Sequence, residues 1–205
     1  MKLLTGDNLQ IWRGDRHVLR GVSFAVDTGD CLLVTGANGA GKTSLLRAVC
    51  GLLPLEDGTI CWRGQPALAD RYALHRELAY LGHGGALKAE LSARENLHFS
   101  AGLRRRLTAT EIDQALDQVG LGGIDRRLAR QMSAGQQRRV ALARVLLQQC
   151  RLWVLDEPTS NLDAQGQQLF SQLLIKHLKA GGIAVVASHQ MLPLPGAKQQ
   201  QLELQ

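Results

Sequence analysis

The segment Gly36-Ala37-Asn38-Gly39-Ala40-Gly41-Lys42-Thr43-Ser44 lies between an apolar strand pattern and the start of a helical one. Glycines in such a turn let successive backbone N–H groups point inward around phosphates, at the positive end of the following helix. Lys42 would reach the outer phosphates, and the Thr43 hydroxyl would face Mg2+. A Gly-rich turn with a stray lysine is the competing reading, and the strand before and helix after argue against it.

A second segment, Leu152-Trp153-Val154-Leu155-Asp156-Glu157-Pro158, is an apolar strand that delivers adjacent carboxylates at its carboxyl end. Open α/β sheets bind ligands at such ends. Asp156 suits a Mg2+ shell there, and Glu157 suits orienting and deprotonating an attacking water. The third runs from Met132 to Arg144, where Ser133, Ala134, Gly135 and Gln136 open a helix and expose its first N–H groups. This is a second anion site, and one phosphate does not need two such sites from one chain.

These motifs need elements to hold them. Leu3 to Ile11, Val22 to Val26 and Cys31 to Thr35 read as strands, and a helix from Lys42 to Cys50 is stopped by Gly51. Asp57-Gly58 marks a hairpin into a strand from Thr59 to Trp62, and Leu78 to Leu81 is another short strand. Ser92-x-x-Glu95 and Thr108-x-x-Glu111 have the form of capping boxes, each opening a helical pattern. A further helix runs from Gly135 to Gln148, then a strand from Leu152 to Leu155, a helix from Ala164 to Lys179 and a strand from Ile183 to Ala187. The Gln-rich tail after Pro195 reads as loosely held. Strand and helix alternate at both ends while the centre is all helix, an α/β core with a helical insert.

Charge and cysteines narrow the class. The net charge is +6, and the surplus sits between Gly84 and Arg151, which holds 12 of the 24 basic residues and 6 of the 18 acidic ones. Arg104-Arg105-Arg106, Arg126-Arg127, Arg130 and Arg138-Arg139 would attract phosphates, lipid head groups or an acidic partner, or else form a solvated helix face. No nucleic-acid reading module accompanies them, so nucleic acid is not the expected partner. Cys31, Cys50, Cys61 and Cys150 lie in or beside apolar segments without Cys-x-x-Cys spacing, which favours buried thiols and a reducing compartment. No apolar run approaches the ~20 residues that cross a bilayer. The acid at Asp7 comes too early for a signal-peptide core.

Taken together, the motifs resemble the ABC-type ATPases over nearly the whole chain, from about Leu3 to Gln190. The resemblance implies a P-loop α/β fold with an antiparallel β subdomain and a helical insert, in one ATP-binding domain spanning 1–205. Residues 1–85 and 150–190 would form the nucleotide-binding core and 86–149 the helical part. It implies ATP and Mg2+ as cofactors and a head-to-tail dimer, in which Ser133, Gly135 and Gln136 of one copy meet the nucleotide held by the other. Asp163, in Ser160-Asn161-Leu162-Asp163, matches the family's D-loop and is also a plausible helix cap. His189, after the strand Ile183 to Ala187, matches the histidine that contacts the γ-phosphate. Lys42, Glu157 and His189 would thus be the catalytic set, with Thr43 and Asp156 at the metal.

Two positions depart from the family pattern. His83 occupies the slot where most transport cassettes carry a Mg2+- and partner-sensing glutamine, a departure from the ordinary metal contact. The adenine-stacking aromatic is usually followed by glycine, whereas Arg13 precedes Gly14 and Trp12 comes one earlier. Trp12 by its ring or Arg13 by its guanidinium plane could stack on the base, and adjacent strand residues face opposite ways, so only one does.

The wording at 133–144, Glu95-Asn96-Leu97-His98-Phe99, Gly82-His83, Trp153 and His189-Gln190 is similar to the ATP-binding subunits of the bacterial haem exporter of cytochrome c biogenesis. That resemblance implies a peripheral protein on the cytoplasmic face of the inner membrane. Its partners would be the membrane subunits CcmB and CcmC with the small CcmD, and indirectly the haem chaperone CcmE. The alternatives are the ATPase of another ABC exporter, for lipid, peptide or drug, or a soluble ABC ATPase. The last would need a coiled-coil insertion or a second cassette, and neither pattern is present. A small-molecule kinase would share the phosphate loop but leave residues 132–144 unexplained.

Overall fold

A computed structural model describes residues 2–84, 86–124 and 126–205; Met1, Gly85 and Asp125 lie outside the described residues. The chain opens with β1 (Lys2–Arg13) and β2 (Arg16–Asp27), an antiparallel hairpin turning at Gly14, and continues into β3 (Asp30–Gly36). Helix α1 (Lys42–Val49) follows, then β4 (Asp57–Trp62), the two-residue β5 (Gln65–Pro66), helix α2 (Arg71–Glu77) and β6 (Leu78–Leu81). The centre holds α3 (Ala93–Gly102), α4 (Ala109–Gln118) and α5 (Ala134–Gln148). The last part alternates β7 (Leu152–Asp156), α6 (Ala164–Lys179), β8 (Ile183–Ala187) and β9 (Lys198–Leu204).

The strands form two sheets: an antiparallel one in the order β2-β1-β4-β5, and a parallel one in the order β6-β7-β8-β3-β9. Alternation along the parallel strands divides the core in two. Leu32, Val34, Leu152, Val154, Ile183 and Val185 face α1 and the antiparallel sheet. Leu33, Leu81, Trp153, Leu155, Ala184 and Val186 face α5 and α6 and the helices of the insert. Both faces of the sheet are therefore covered, which explains why β7 and β8 are buried along their whole length. The α/β class and the antiparallel subdomain with helical insert are as the sequence implies.

Helix starts follow the sequence closely. Both expected capping boxes form, Ser92 with Glu95 and Thr108 with Glu111. Ser133 with Gln136 makes a third. Each such cap contributes about 1 kcal/mol to its helix.

Two local expectations are corrected, and one helix was not expected. Asp57-Gly58 is not a hairpin turn but the start of β4. Gly58 is needed because a Cβ there would meet Asp7 O and Asn8 O of β1 at 2.6 and 2.4 Å. The hairpin turns instead at Arg63-Gly64, where φ is positive at both residues (51° and 77°), the requirement of a two-residue turn that matches strand twist. Helix α2 carries no apolar periodicity, since only Leu74 is buried, and its one clear signal is Asp70 capping the Ala73 amide. The Gln-rich tail is not loose: β9 pairs with β3 residue for residue from Asp30 to Gly36, and Leu204 is buried.

The basic segment is also not one surface. Arg138 and Arg144 are buried. Arg139 pairs with Asp163 at 2.8 Å and Arg105 with Glu111 at 2.6 Å, while Arg106, Arg126, Arg127 and Arg130 are exposed. Among the described residues no helix is long and apolar enough to cross a membrane.

Candidate functional site

In the parallel sheet β8 lies between β7 and β3, so the carboxyl ends of all three open onto one place. The phosphate loop leaves β3, Asp156 ends β7, and His189 follows β8 by two residues. A cleft of about 390 Å³ results, lined by Asn38, Gly39, Gly41, Lys42, Thr43, Ser44, His83, Asp156, Glu157 and His189, with Arg13, Arg16 and Val18 from the antiparallel sheet.

Helix α1 begins differently from the other helices. Asp70, Ser92, Thr108, Ser133 and Asp163 each cap theirs with a side chain, whereas Gly41 at the start of α1 supplies none. Its first-turn amides are left for an anion. Glycine is required here twice over: φ is 103°, and a Cβ would meet Val18 Cγ1 at 2.7 Å. Lys42 is only 7% exposed and donates from Nζ to Gly36 O at 2.7 Å and Ala37 O at 3.1 Å, folded over the loop it would share with phosphates. Arg16 braces the same loop by donating to Gly39 O at 3.0 Å. Nothing in the spacing of Arg16 pointed to this role; its position only becomes meaningful once β2 folds over the loop.

Thr43 Oγ1 donates to Asp156 Oδ2 at 2.9 Å, bridging 113 positions of chain. Two hard oxygen donors at the mouth of a phosphate loop are the protein share that Mg2+ takes when phosphates and waters complete its shell, so these residues fit the ion. Glu157 is next along the chain, with φ at 51°, a left-handed backbone that costs a side-chain-bearing residue about 1–3 kcal/mol. Its amide donates to Ala187 O at 2.9 Å. His189 Nε2 lies 3.3 Å from Glu157 Oε1, out of line for a hydrogen bond, and that buried oxygen has no hydrogen-bond partner among the described residues.

The remaining candidates are elsewhere. Ser133, Gly135, Gln136 and Asp163 line a separate cleft that shares no residue with the first. There Ser133 Oγ accepts from the Gln136 amide at 3.2 Å, and a Cβ on Gly135 would meet Asn161 O at 2.7 Å, so the segment needs glycine to lie against the loop before α6. The Gly166 amide and then Arg139 hold the Asp163 carboxyl below the usual carboxylate range. Arg13 lines the Lys42 cleft, whereas Trp12 is 47% exposed and stacks on His17 with ring centroids 4.3 Å apart.

Arg138, which the sequence places with the phosphate-attracting or solvated arginines, is instead folded inward. It is 4% exposed, and its guanidinium reaches five backbone carbonyls at the carboxyl ends of β6 and β7. Burial pushes its pKa down, opposed by the carboxylates of Asp156 and Glu157.

Residues 19–160 match the ABC transporter family. A cytochrome c biogenesis ATP-binding export protein CcmA from Albidiferax ferrireducens is 44% identical over 193 residues, 94% of this chain and 92% of that protein. The chain belongs to the ABC transporter family, in its CcmA branch. A bifunctional cytochrome c-type biogenesis protein CcmAE from Salmonella choleraesuis is 43% identical over 95% of this chain, which spans 56% of that protein. Among solved structures, an ABC transporter ATP-binding protein from Pyrococcus furiosus superposes with a TM-score of 0.84 at 25% identity, covering 97% of this chain and 96% of that one. As an ABC cassette the chain binds ATP, and membership implies dimerisation and membrane-subunit partners.

Proposed function

We propose that this chain is the ATP-hydrolysing subunit of an ABC transporter complex in bacterial cytochrome c biogenesis, one that exports haem or releases the haem-loaded chaperone. The observation that carries the hydrolytic reading is the gathering of Lys42, Thr43, Asp156, Glu157 and His189 around one cleft. The CcmA relatives carry the biological role, and the CcmAE protein, by its name, supports a CcmE-like chaperone as the indirect partner. CcmB-like and CcmC-like subunits with CcmD would hold the chain at the cytoplasmic face of the inner membrane.

In this reading the open amides of α1 and Lys42 bind the phosphates of ATP, with the adenine end toward Arg13. Thr43 and Asp156 hold Mg2+, which supplies charge neutralisation on the phosphates when bound. Glu157 takes the proton from the attacking water, its carboxylate fixed by the strained turn and by β8. His189 orients the γ-phosphate beside it. Ser133, Gly135 and Gln136 lie in the other cleft, so each site needs those residues from a second copy. Such pairing makes hydrolysis depend on two chains.

The test is to capture tagged Glu157→Gln chain with ATP from detergent-solubilised membranes and identify co-purifying proteins by mass spectrometry. Haem-handling membrane subunits are the expected result. Recovery of a different permease would overturn the cytochrome c role and leave the hydrolytic mechanism standing.

A further inference from the structure

We infer that Arg138 is a positioning residue for hydrolysis: its buried guanidinium fixes the backbone of Glu157 and ties it to the Gly82–His83 segment and to the helix that carries Ser133. This inference rests on the reading of Glu157 as the group that activates water.

The geometry is specific. Nη2 donates to Asp156 O and Glu157 O, both at 2.6 Å, and Nε donates to Pro158 O at 3.2 Å. Nη1 donates to Gly82 O at 3.0 Å and His83 O at 3.4 Å. A guanidinium has five N–H donors in a rigid plane, and this fork meets three consecutive carbonyls on one strand end and two on its neighbour. Those carbonyls lie at or just past the ends of β6 and β7, and buried carbonyls without donors are costly. The consequence for Glu157 is direct. Its backbone is in the left-handed region, its amide is held by Ala187 O, and its carbonyl accepts from Arg138 at 2.6 Å and from the Ser160 amide at 3.1 Å. Without the guanidinium the carbonyl keeps only the bond within its own turn, from Ser160, and loses the shorter one that ties it to the end of β6, so the carboxylate loses its fixed aim into the cleft.

The three connected places have different owners. Arg138 stands five residues after Ser133 on α5, so a movement of that helix start reaches Glu157 through one side chain. Gly82 and His83 lead from β6 toward the helical insert, and His83 lines the cleft. Lysine would keep the charge but offers three donors from one point and cannot span both strand ends.

The test compares Arg138→Lys and Arg138→Gln with the parent, with Lys42→Ala and Glu157→Gln as controls. Melting temperature, affinity for a fluorescent ATP analogue, kcat and KM for ATP, and amide hydrogen exchange without nucleotide are measured. Expected for Arg138→Lys are a folded chain, nucleotide affinity and KM within about threefold of the parent, and kcat lower by at least about tenfold, the scale on which misplaced catalytic groups act. Exchange should quicken together in peptides covering 82–84 and 157–160 and stay unchanged in α6. An unchanged kcat in a folded variant overturns the inference. So does a fall in affinity and kcat by equal factors, or failure of both variants to fold, either of which makes Arg138 structural only. If Lys42→Ala and Glu157→Gln hydrolyse ATP at the parent rate, it is the reading of the site that fails.

Discussion

Glu157 Oε1 lies 3.3 Å from His189 Nε2, across the ends of the adjacent parallel strands β7 and β8. A carboxylate oxygen that is buried, without a hydrogen-bond partner among the described residues and beside a ring nitrogen can accept from a group that enters the cleft, which in the proposed reading is water. Glu157→Gln keeps the shape and removes the basicity. Its kcat should fall about 10²–10⁴-fold, the usual contribution of a positioned base, with ATP affinity near the parent's. Gel filtration with ATP should then show a dimer that persists. Hydrolysis at the parent rate would remove Glu157 from the role of base.

Lys42→Ala deletes the one lysine ammonium in the cleft. A hydrogen bond to a charged group contributes about 1.5–3 kcal/mol, so affinity for ATP should drop about 10- to 150-fold. The same change takes the ammonium donor from Gly36 O and leaves Ala37 O with the Ala40 amide at 3.2 Å, so the melting temperature should fall as well. A nucleotide titration and a thermal melt on one preparation separate the two effects. Unchanged affinity in the folded variant would mean that the loop amides alone hold the phosphates.

The residues proposed as catalytic were legible because each sits within a few positions of a strand end or helix start, and local patterns fix those. Thr43 and Asp156 are 113 positions apart, yet a rule about where parallel strands end brings them together without any pairwise signal. Arg138 was illegible for the opposite reason. In a run of arginines nothing local distinguishes the one that is folded inward from those in water, and its five carbonyl partners come from two remote strand ends. The β9 strand was hidden by composition: three glutamines look like a solvated tail, while its inward contacts, Leu202 and Leu204, are only two residues on an edge strand.

That strand carries its own prediction. Lys198 Nζ and Gln200 Nε2 both bond Asp30 Oδ2 at 2.9 Å, and Asp30 is buried at the start of β3. Leu204 O sits 2.5 Å from where a Cβ on Gly36 would be, against the first residue of the phosphate loop. Removing residues 196–205 strips a buried carboxylate of both these partners and β3 of its edge strand, a loss of stability. Urea unfolding should show that loss, and ATP affinity should weaken with it because the loop loses its backing. A truncated chain as stable as the parent would show that the pairing of β9 with β3 contributes nothing.

His177 gives the last prediction, in the pH dependence of stability. Its ring stacks on Trp153 with centroids 3.9 Å apart and interplanar angle 9°, and Nε2 lies 3.1 Å from Ile183 O. Gly182 allows this, since a Cβ there would lie 2.3 Å from the ring. Burial pushes the pKa from 6.5 down to about 4, against the opposing hydrogen bonds to backbone. The folded value lies below the unfolded one, so between those limits the unfolded chain binds the extra proton. Stability from this group is intact above pH 6.5 and is lost progressively as pH falls toward 4. At about 1.36 kcal/mol per unit, roughly 2 kcal/mol should be gone by pH 5 and about 3 kcal/mol by pH 4. His177→Phe keeps a ring against Trp153 and removes the proton site, so urea unfolding of both chains at pH 7 and pH 5 isolates the effect. The parent should lose about 2 kcal/mol more than the variant over that interval. Equal losses would mean that His177 titrates in the folded chain as it does in the unfolded one.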